Sequence, residues 1–320
     1  MLFLSRQVTV GICAYNEAKN IGELLQNILY EQELSSDSEV LVVCSGCTDR
    51  TVEIVQKFSK SDSRVNLHLE TKRRGKASAI NYILSNASSD VILFISADTL
   101  PSQRCFARLI AMLETPTVGV VCGNPLPTNN TNSLVGKLVQ LLWGLHGKVF
   151  AEYSKAGLAR HATEAFCVRK GIVVNIPPET VNDDAYIAIN ARMKGWIVRF
   201  EPESSVLIHG PETFPEYFNQ RRRVLWGHHQ LKKWTSISPQ HLIYLFPYYP
   251  ARVTKLLLWL CSEYNPVSVV AFVSTELVVN VVAVIDVFRG KSYSIWKTAA
   301  STKTVIPQRI EMQRLAEHPL

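Results

Sequence analysis

The chain has 320 residues, 47% hydrophobic and 19% charged, which excludes a disordered polypeptide and leaves room for one large α/β domain with an appendage or for two domains. Its net charge of +7 and pI of about 9.0 suit nucleic acid, an anionic membrane or a phosphorylated substrate. The basic clusters are short and no zinc-finger, homeodomain or single-strand-binding pattern accompanies them, so no nucleic-acid partner is expected.

Seven cysteines, an odd number scattered along the chain, favour a reduced compartment over a disulfide framework. Residues 1–6 run directly into an apolar segment and lack the apolar length of a signal peptide. We therefore expect the polar, globular part of the chain to lie in the cytoplasm.

The first third of the sequence alternates between apolar strands and amphipathic helices. Residues 8–14 form a near-continuous apolar run, which is typical of a strand buried on both faces. Asn20 and Glu23 have the spacing of a capping box at the start of the first helix. Further strands are predicted at 40–43, 65–69 and 91–95, with helices at about 51–58, 76–84 and 106–113. This alternation predicts an α/β fold with a mostly parallel sheet.

Polar residues follow all four of these predicted strands. They are Asn16 and Glu17 after the first strand, Ser45 after the second, residues 72–75 after the third and Asp98 after the fourth. Ligands of parallel sheets bind beyond the carboxyl ends of the strands, so we expect a binding site here. Solvated loops are the alternative.

Downstream, the periodicity predicts three helices and three short strands. The helices are at 133–157, 183–194 and 213 to about 234, and the strands are at 165–168, 196–200 and 206–209. Thr213 and Glu216 form a second capping box. His209, which follows a strand, is expected to be a structural histidine.

Asp183 and Asp184 stand at the start of a predicted helix, where the helix N-terminus stabilises negative charge and lowers a carboxyl pKa. One of them is a candidate catalytic base, with helix capping as the alternative. Asp98, in a loop after a strand, is either a ligand for a hard cation such as Mg²⁺ or Mn²⁺ or another helix cap.

Gln220 and Arg223 share one helix face, and the guanidinium is suited to bidentate contacts with a diphosphate. A solvated basic face is the alternative. Cys44 and Cys47 flank a turn between a strand and a helix, a context that also suits a thiol redox pair. The turn chemistry of Ser45 and Gly46 explains this spacing better.

In this order, the motifs between residues 8 and 230 resemble those of family 2 glycosyltransferases of the membrane-associated kind. That family includes cellulose, chitin, hyaluronan and poly-N-acetylglucosamine synthases and ceramide glucosyltransferases. Six motifs carry the resemblance: the opening strand with Tyr15-Asn16-Glu17, the turn 45–51 resembling Asp-Gly-Ser-Thr-Asp-x-Thr, Arg74-Gly75-Lys76-Ala77 at the Gly-Lys loop, Ser96-Ala97-Asp98 at Asp-x-Asp, Asp183-Asp184 at Glu-Asp or Asp-Asp, and Gln220-Arg221-Arg222-Arg223 at the start of Gln-x-x-Arg-Trp.

The resemblance implies a glycosyltransferase A fold with a Rossmann-like nucleotide-binding half. It also implies inverting transfer of a sugar from a nucleotide sugar to a lipid or glycan acceptor. In this role Asp184 would be the general base, with Asp183 orienting its helix, and Asp98 would hold Mg²⁺ or Mn²⁺. The expected nucleotide- and donor-binding residues are Tyr15, Asn16, Glu17, Ser45, Gly75, Lys76, Asp98, Gln220, Arg223 and Trp226.

Three positions depart from the family pattern. Ser45 replaces an acid expected near the nucleotide base, Ser96 replaces the first Asp of Asp-x-Asp, and Val224 occupies the Trp position, with Trp226 two residues later. These departures bear on the implied uridine preference, the tightness of metal binding and processive synthesis, and transfer of a single sugar is expected. A non-catalytic nucleotide-binding scaffold of the same fold is the alternative.

We place the catalytic domain at 1–235 and assign 236–320 to membrane-associated or oligomerisation helices and a basic tail. Asn265 and Pro266 open a helix whose apolar run, 267–288, is long enough to span a bilayer. Glu276, Asn280 and Asp286 interrupt that run roughly on one side, which makes a lone span costly.

The preceding stretch, 243–261, mixes aromatic and basic residues with Pro247 and Pro250, as an interfacial segment does. Basic residues, Lys297 among them, flank the apolar run on both sides, so the positive-inside rule predicts that both ends lie at the cytoplasmic face of a membrane. A buried helix in a soluble homo-oligomer is the alternative.

Overall fold

The computed structural model describes residues 7–239, 249–295 and 299–303. Its strands are β1 Thr9–Ala14, β2 Glu39–Ser45, β3 Val65–Glu70, β4 Val91–Ser96, β5 Thr99–Pro101, β6 Val118–Pro127, β7 Ala165–Arg169 and β8 Ile197–Ile208. Its helices are α1 Ile21–Tyr30, α2 Thr51–Ser61, α3 Lys76–Asn86, α4 Cys105–Met112, α5 Leu134–Lys155, α6 Asp183–Met193, α7 Phe214–Thr235, α8 Pro250–Glu263 and α9 Pro266–Phe288, followed by a 3₁₀ turn at Ser301–Lys303. Residues 1–6, Pro247 with the first part of the predicted interfacial stretch, Lys297 and the basic tail from 304 onward lie outside the described residues.

Eight strands form one sheet in the order β3-β2-β1-β4-β7-β6-β8-β5. The first four strands of this order are parallel to one another. β7 is antiparallel to both β4 and β6, β6 is parallel to β8, and β5 is antiparallel to β8. The predicted mostly parallel α/β sheet is confirmed. Because β7 is antiparallel, Ala165 at its start pairs with Ile95 near the end of β4. Residues that precede β7 therefore reach the edge where β1, β2 and β4 end.

The central strands are buried on both faces, as their apolar runs predict. Val40 and Val42 of β2 pack on one side of the sheet, while Leu41 and Val43 pack on the other. Gly11 of β1 allows α3 to approach closely, because a Cβ at this position would lie 2.7 Å from Cγ2 of Ile83. The core therefore consists of two apolar layers with the sheet between them.

The structure differs from the local predictions in four places. Asn20 makes no side-chain cap and instead donates from Nδ2 to Oε2 of Glu17 at 3.1 Å. β6 was not predicted, because glycine and proline interrupt its sequence, and the two strands predicted at 196–200 and 206–209 are one irregular strand, β8. The segment after β4 returns to the sheet as β5 before α4 begins.

The C-terminal helix α9 begins as predicted, with Oδ1 of Asn265 accepting from the N–H of Val267 at 2.9 Å. It has 23 residues and a mean hydropathy of 2.2. In the described part of the chain it is the one helix that is long and apolar enough to cross a membrane. Its acidic residues turn toward α7: Glu276 accepts from Arg221 at 2.9 Å, and Asp286 pairs with Arg222. These two ion pairs thus hold α7, the helix that carries the Gln-x-x-Arg motif, against α9.

Candidate active site

A cavity of about 850 Å³ lies where β1, β2 and β4 end, between the sheet and the N-terminal halves of α3, α6 and α7. Most of the predicted site residues line it: Tyr15, Glu17, Ser45, Gly75, Lys76, Asp98, Asp183, Asp184, Gln220 and Arg223. The sheet topology thus brings together side chains as far apart in sequence as Tyr15 and Arg223. The solvated-loop alternative for the strand ends does not describe this arrangement.

The start of α6 carries two carboxylates in different surroundings. Asn182 makes no side-chain cap and instead donates from Nδ2 to the carbonyl of Val224 at 2.9 Å, which ties α6 to α7. Asp183 is buried and pairs with Nζ of Lys76 at 2.9 Å. Asp184 is more exposed, accepts from the N–H of Ala185 at 2.7 Å and lies at the cavity wall. The Lys76 partner, rather than the predicted capping, explains why Asp183 is buried.

The two carboxyl groups shift in opposite directions. Burial raises the pKa of Asp183 despite the neighbouring Lys76. Burial also acts to raise the pKa of Asp184, but the charge and hydrogen bond of His161, together with Lys76, outweigh it and lower that pKa. The lowered pKa keeps the carboxylate of Asp184 ionised near neutral pH, which is the state that a general base requires.

Asp98 lies in the two-residue turn between β4 and β5, and α4 begins only at Cys105, so Asp98 caps no helix. Burial, with the nearby Glu17 and Glu164, raises its pKa to about 7. Glu164, which precedes β7, was not predicted: its Oε2 accepts from Oγ of Ser96 at 2.6 Å. A carboxylate thus stands beside the position where the family motif has its first Asp.

The carboxylates near Asp98 suit a hard divalent cation. Mg²⁺ is commonly held by one or two carboxylates and completed by substrate phosphate oxygens, and the repulsion among Asp98, Glu17 and Glu164 would be relieved by a cation. Among the described residues no group of three or more His, Cys, Asp or Glu side chains could hold a metal alone. The residues therefore fit a cation only when a phosphorylated ligand completes its shell.

The loop after β1 forms the opposite wall. The ring of Tyr15 lies under the guanidinium of Arg73, 3.9 Å from ring centroid to Cζ. Asn16, which has a φ of 54°, accepts from the N–H of Thr48 at 2.8 Å and is not among the residues that line the cavity. Asn16 therefore fixes the turn after β2, whereas Tyr15 faces the ligand space.

Ser45 and the basic loop are joined at this wall, because Oγ of Ser45 accepts from the N–H of Arg74 at 3.0 Å. Gly75 follows with a φ of 90°, and a Cβ there would lie 3.2 Å from the carbonyl oxygen of Ser294. Cys47 nearby has its pKa lowered to about 7, chiefly by a hydrogen bond from Cys44. The thiol pair lies beside the cavity, and neither cysteine lines it.

Helix α7 presents Gln220 and Arg223 to the cavity, as their i, i+3 spacing predicts. Trp226 lies about one turn further on, against the ring of Tyr293 with centroids 5.5 Å apart, and is not among the lining residues. Of the twelve predicted site residues, Asn16 and Trp226 are the two that the fold does not bring to the cavity wall.

The C-terminal segment closes one side of the cavity, which the sequence did not predict. Glu216 at the start of α7 accepts from the N–H of Ala300 at 2.8 Å and from Oγ of Ser301 at 2.6 Å. Lys303 then places Nζ 3.0 Å from the carbonyl oxygen of Asn16 and in contact with the carboxylate of Glu17. A second cation thus enters the same wall as Arg73.

Comparisons with known proteins identify the family of the chain. The family model "Glycosyl transferase family 2" matches residues 9–170, and "Glycosyl transferase family group 2" matches residues 91–288. The chain is 26% identical over 233 residues to the poly-beta-1,6-N-acetyl-D-glucosamine synthase of Staphylococcus aureus (strain COL), covering 70% of this chain and 55% of that protein. It is 24% identical over 240 residues to the enzyme of the same name from Staphylococcus epidermidis, covering 72% and 57%. The chain spans about half the length of these curated relatives.

Among solved structures, the chain is similar to the mannosyltransferase PcManGT from Pyrobaculum calidifontis in complex with GDP-Man and Mn²⁺, with a TM-score of 0.62, 22% identity and coverage of 90% of this chain and 89% of that one. It is also similar to S. aureus TarS, with a TM-score of 0.50, 18% identity and coverage of 68% and 39%. The expected glycosyltransferase A fold is confirmed. With more than half of its residues matched by these family models, the chain belongs to glycosyltransferase family 2.

Proposed function

We propose that the protein is an inverting glycosyltransferase that moves one sugar from a nucleotide-sugar donor to a glycan or lipid acceptor at a membrane. The observation that carries this proposal is that the carboxylate of Asp184 lies at the wall of a cavity that Asp98 and Arg223 also line. The similarity to poly-N-acetylglucosamine synthases and to a GDP-Man-bound mannosyltransferase supports a nucleotide-sugar donor.

In this reaction Asp184 accepts the proton of an acceptor hydroxyl as its oxygen attacks the anomeric carbon. The bond between that carbon and the diphosphate breaks, and the diphosphate leaves with the bonding electron pair. Attack opposite the leaving group inverts the anomeric configuration. Arg223 and Gln220 orient the diphosphate, and the carboxylates of Asp98 and Glu164 would hold Mg²⁺ or Mn²⁺. When bound, that cation neutralises the charge that develops on the diphosphate.

The alternative of a non-catalytic scaffold rests on the loss of acids at positions 45 and 96. Glu164 weakens that alternative, since its carboxylate stands next to Ser96. A non-catalytic scaffold also does not require an ionised carboxylate such as that of Asp184 at the cavity wall. A pKa that is shifted by specific neighbours is instead typical of catalytic groups.

The test is to incubate the purified full chain with a panel of nucleotide sugars and Mg²⁺ or Mn²⁺ and to measure released nucleoside diphosphate. We expect Asp184→Asn to lower kcat by about 100-fold or more while donor binding is retained. The matched control is Asp37→Asn, an exposed carboxylate in the loop before β2. An Asp184→Asn enzyme as active as the Asp37→Asn control would refute the role of the base, and binding without turnover in wild type would favour the scaffold.

The membrane part of the proposal rests on the outer face of α9. The apolar residues exposed there are Val267, Val270, Leu277, Val278, Val281, Ile285 and Phe288. Their alignment along a helix whose acids face α7 favours contact with lipid at the cytoplasmic face of a membrane. Flotation with liposomes tests this: wild type should float with the vesicles and Val278→Lys/Val281→Lys should not. Concentration-dependent dimerisation that is abolished by the same substitutions would instead assign the face to a homo-oligomer.

A further inference from the structure

His161 directs its imidazole at the carboxylate of Asp184 from the loop between α5 and β7. Its Nε2 lies 3.4 Å from Oδ2 of Asp184, and its side chain is only 7% exposed. Its Nδ1 is buried and has no hydrogen-bond partner among the described residues. Since a buried polar ring needs compensation, the contact with Asp184 is the polar interaction that accounts for its position.

Aromatic rings hold this imidazole in place. His146 and Phe150 of α5 lie with their ring centroids 5.7 and 5.5 Å from that of His161, and His228 of α7 lies at 5.7 Å. Two helices therefore fix the orientation of His161. Because Asp184 also accepts from the N–H of Ala185 through Oδ1, each of its carboxylate oxygens has one defined neighbour.

We propose that His161 is a positioning residue for the general base: it fixes Oδ2 of Asp184 and keeps that carboxylate ionised until the acceptor hydroxyl arrives. The inference rests on the proposed role of Asp184 and adds a residue that none of the family motifs in the sequence contains. Nε2–H donates to Oδ2 throughout the step. Each carboxylate oxygen keeps a second lone pair, and the acceptor proton passes to one of these, so His161 neither gains nor loses a proton.

Several charged or titratable groups face Asp184 besides His161. They are Asp183 on the same helix, Lys76 on α3, Arg223 on α7 and Cys122 on β6. His161 contributes most to lowering the pKa of Asp184 against burial. Loss of the imidazole therefore raises the pKa of Asp184, and activity that needs the ionised carboxylate falls first at low pH.

The experiment compares the pH dependence of kcat in wild type, His161→Gln and His161→Phe. In both variants we expect the acid limb of the kcat–pH profile to move to higher pH by about one unit or more. At pH values below the shifted limb, kcat should be about 10-fold lower than in wild type, and the Kd for the donor should be unchanged. The control is His68→Gln, a half-buried histidine stacked on Tyr82 away from the cavity.

An unshifted acid limb in His161→Gln, together with an inactive Asp184→Asn, would overturn the inference while leaving the base in place. An active Asp184→Asn would instead overturn the proposed base itself. If both His161 variants lose donor binding, the contact between His161 and Asp184 is tested by comparing ¹⁵N-histidine NMR spectra of wild type and Asp184→Asn. The ring nitrogen resonances of His161 must then differ between the two proteins, and identical spectra would refute the contact.

Discussion

The buried ion pair between α7 and α9 predicts a large and specific loss of stability when one partner is removed. Nε and Nη2 of Arg221 donate to the two oxygens of Glu276 at 2.9 Å each, and the hydroxyl of Tyr217 donates at 3.1 Å. The side chains of Arg221 and Glu276 are only 9% and 8% exposed. Glu276→Leu leaves a guanidinium buried without its carboxylate, which costs about 3–5 kcal/mol.

Replacing both partners has a different expected result. Arg221→Met/Glu276→Leu removes both charges together, so its free energy of unfolding should lie within about 1 kcal/mol of wild type. Urea unfolding of wild type, Arg221→Met, Glu276→Leu and the double variant in the same detergent gives a double-mutant cycle. We expect a coupling energy above about 2 kcal/mol between the two side chains. The exposed pair Arg50–Glu53 is the control, where Glu53→Gln should change nothing measurable. Equal destabilisation by the single and double variants would refute the reasoning.

Three further predictions concern the cavity and the sheet. Lys303→Met removes a cation that contacts Glu17 and should raise the donor Kd about 10-fold by calorimetry, whereas an unchanged Kd would place Lys303 outside the donor site. Cys47 should be alkylated by iodoacetamide with a midpoint near pH 7, since its thiolate is stabilised by Cys44, and Cys44→Ala should move the midpoint upward; a wild-type midpoint near pH 9 would contradict this. Gly11→Val should destabilise the fold by about 1–3 kcal/mol in urea unfolding, because its Cβ would meet α3; wild-type stability would contradict the close approach.

The parallel half of the sheet and its binding edge were predictable because their signals are local. A short apolar run predicts a strand that is covered on both faces, and the residue after it then lies at the carboxyl edge. Glu17 and Asp98 were found in this way, whereas Lys76 was implied only by the resemblance to the Gly-Lys loop of the family. Asn16 shows the limit of the rule, because its side chain turns toward Thr48 and fixes the loop while the neighbouring Tyr15 lines the cavity.

The residues that were missed reach the cavity through arrangements that have no local signal. Glu164 precedes a strand, and only the antiparallel direction of β7 places it beside Ser96. His161 lies in a loop without periodicity, and Lys303 arrives from the far end of the chain. β6 was missed because its glycines and prolines argue against a strand, although it is paired on both sides within the sheet.

The charges in the cavity bear on whether the fold works as an enzyme or as a binding scaffold. A buried carboxylate is costly unless it is paired, and buried ion pairs seldom stabilise a protein more than apolar residues of the same size would. A gain in stability alone therefore does not explain why Asp183 is paired with Lys76 and Asp184 with His161. Nucleotide binding by itself does not require the two carboxylates, because the negatively charged diphosphate is bound by cations and not by acids. Two neighbouring carboxylates with opposite pKa shifts are instead the arrangement that separates a structural acid from a catalytic base. For this reason Asp184→Asn and the pH profile of His161→Gln are more informative about this protein than any measurement of nucleotide affinity.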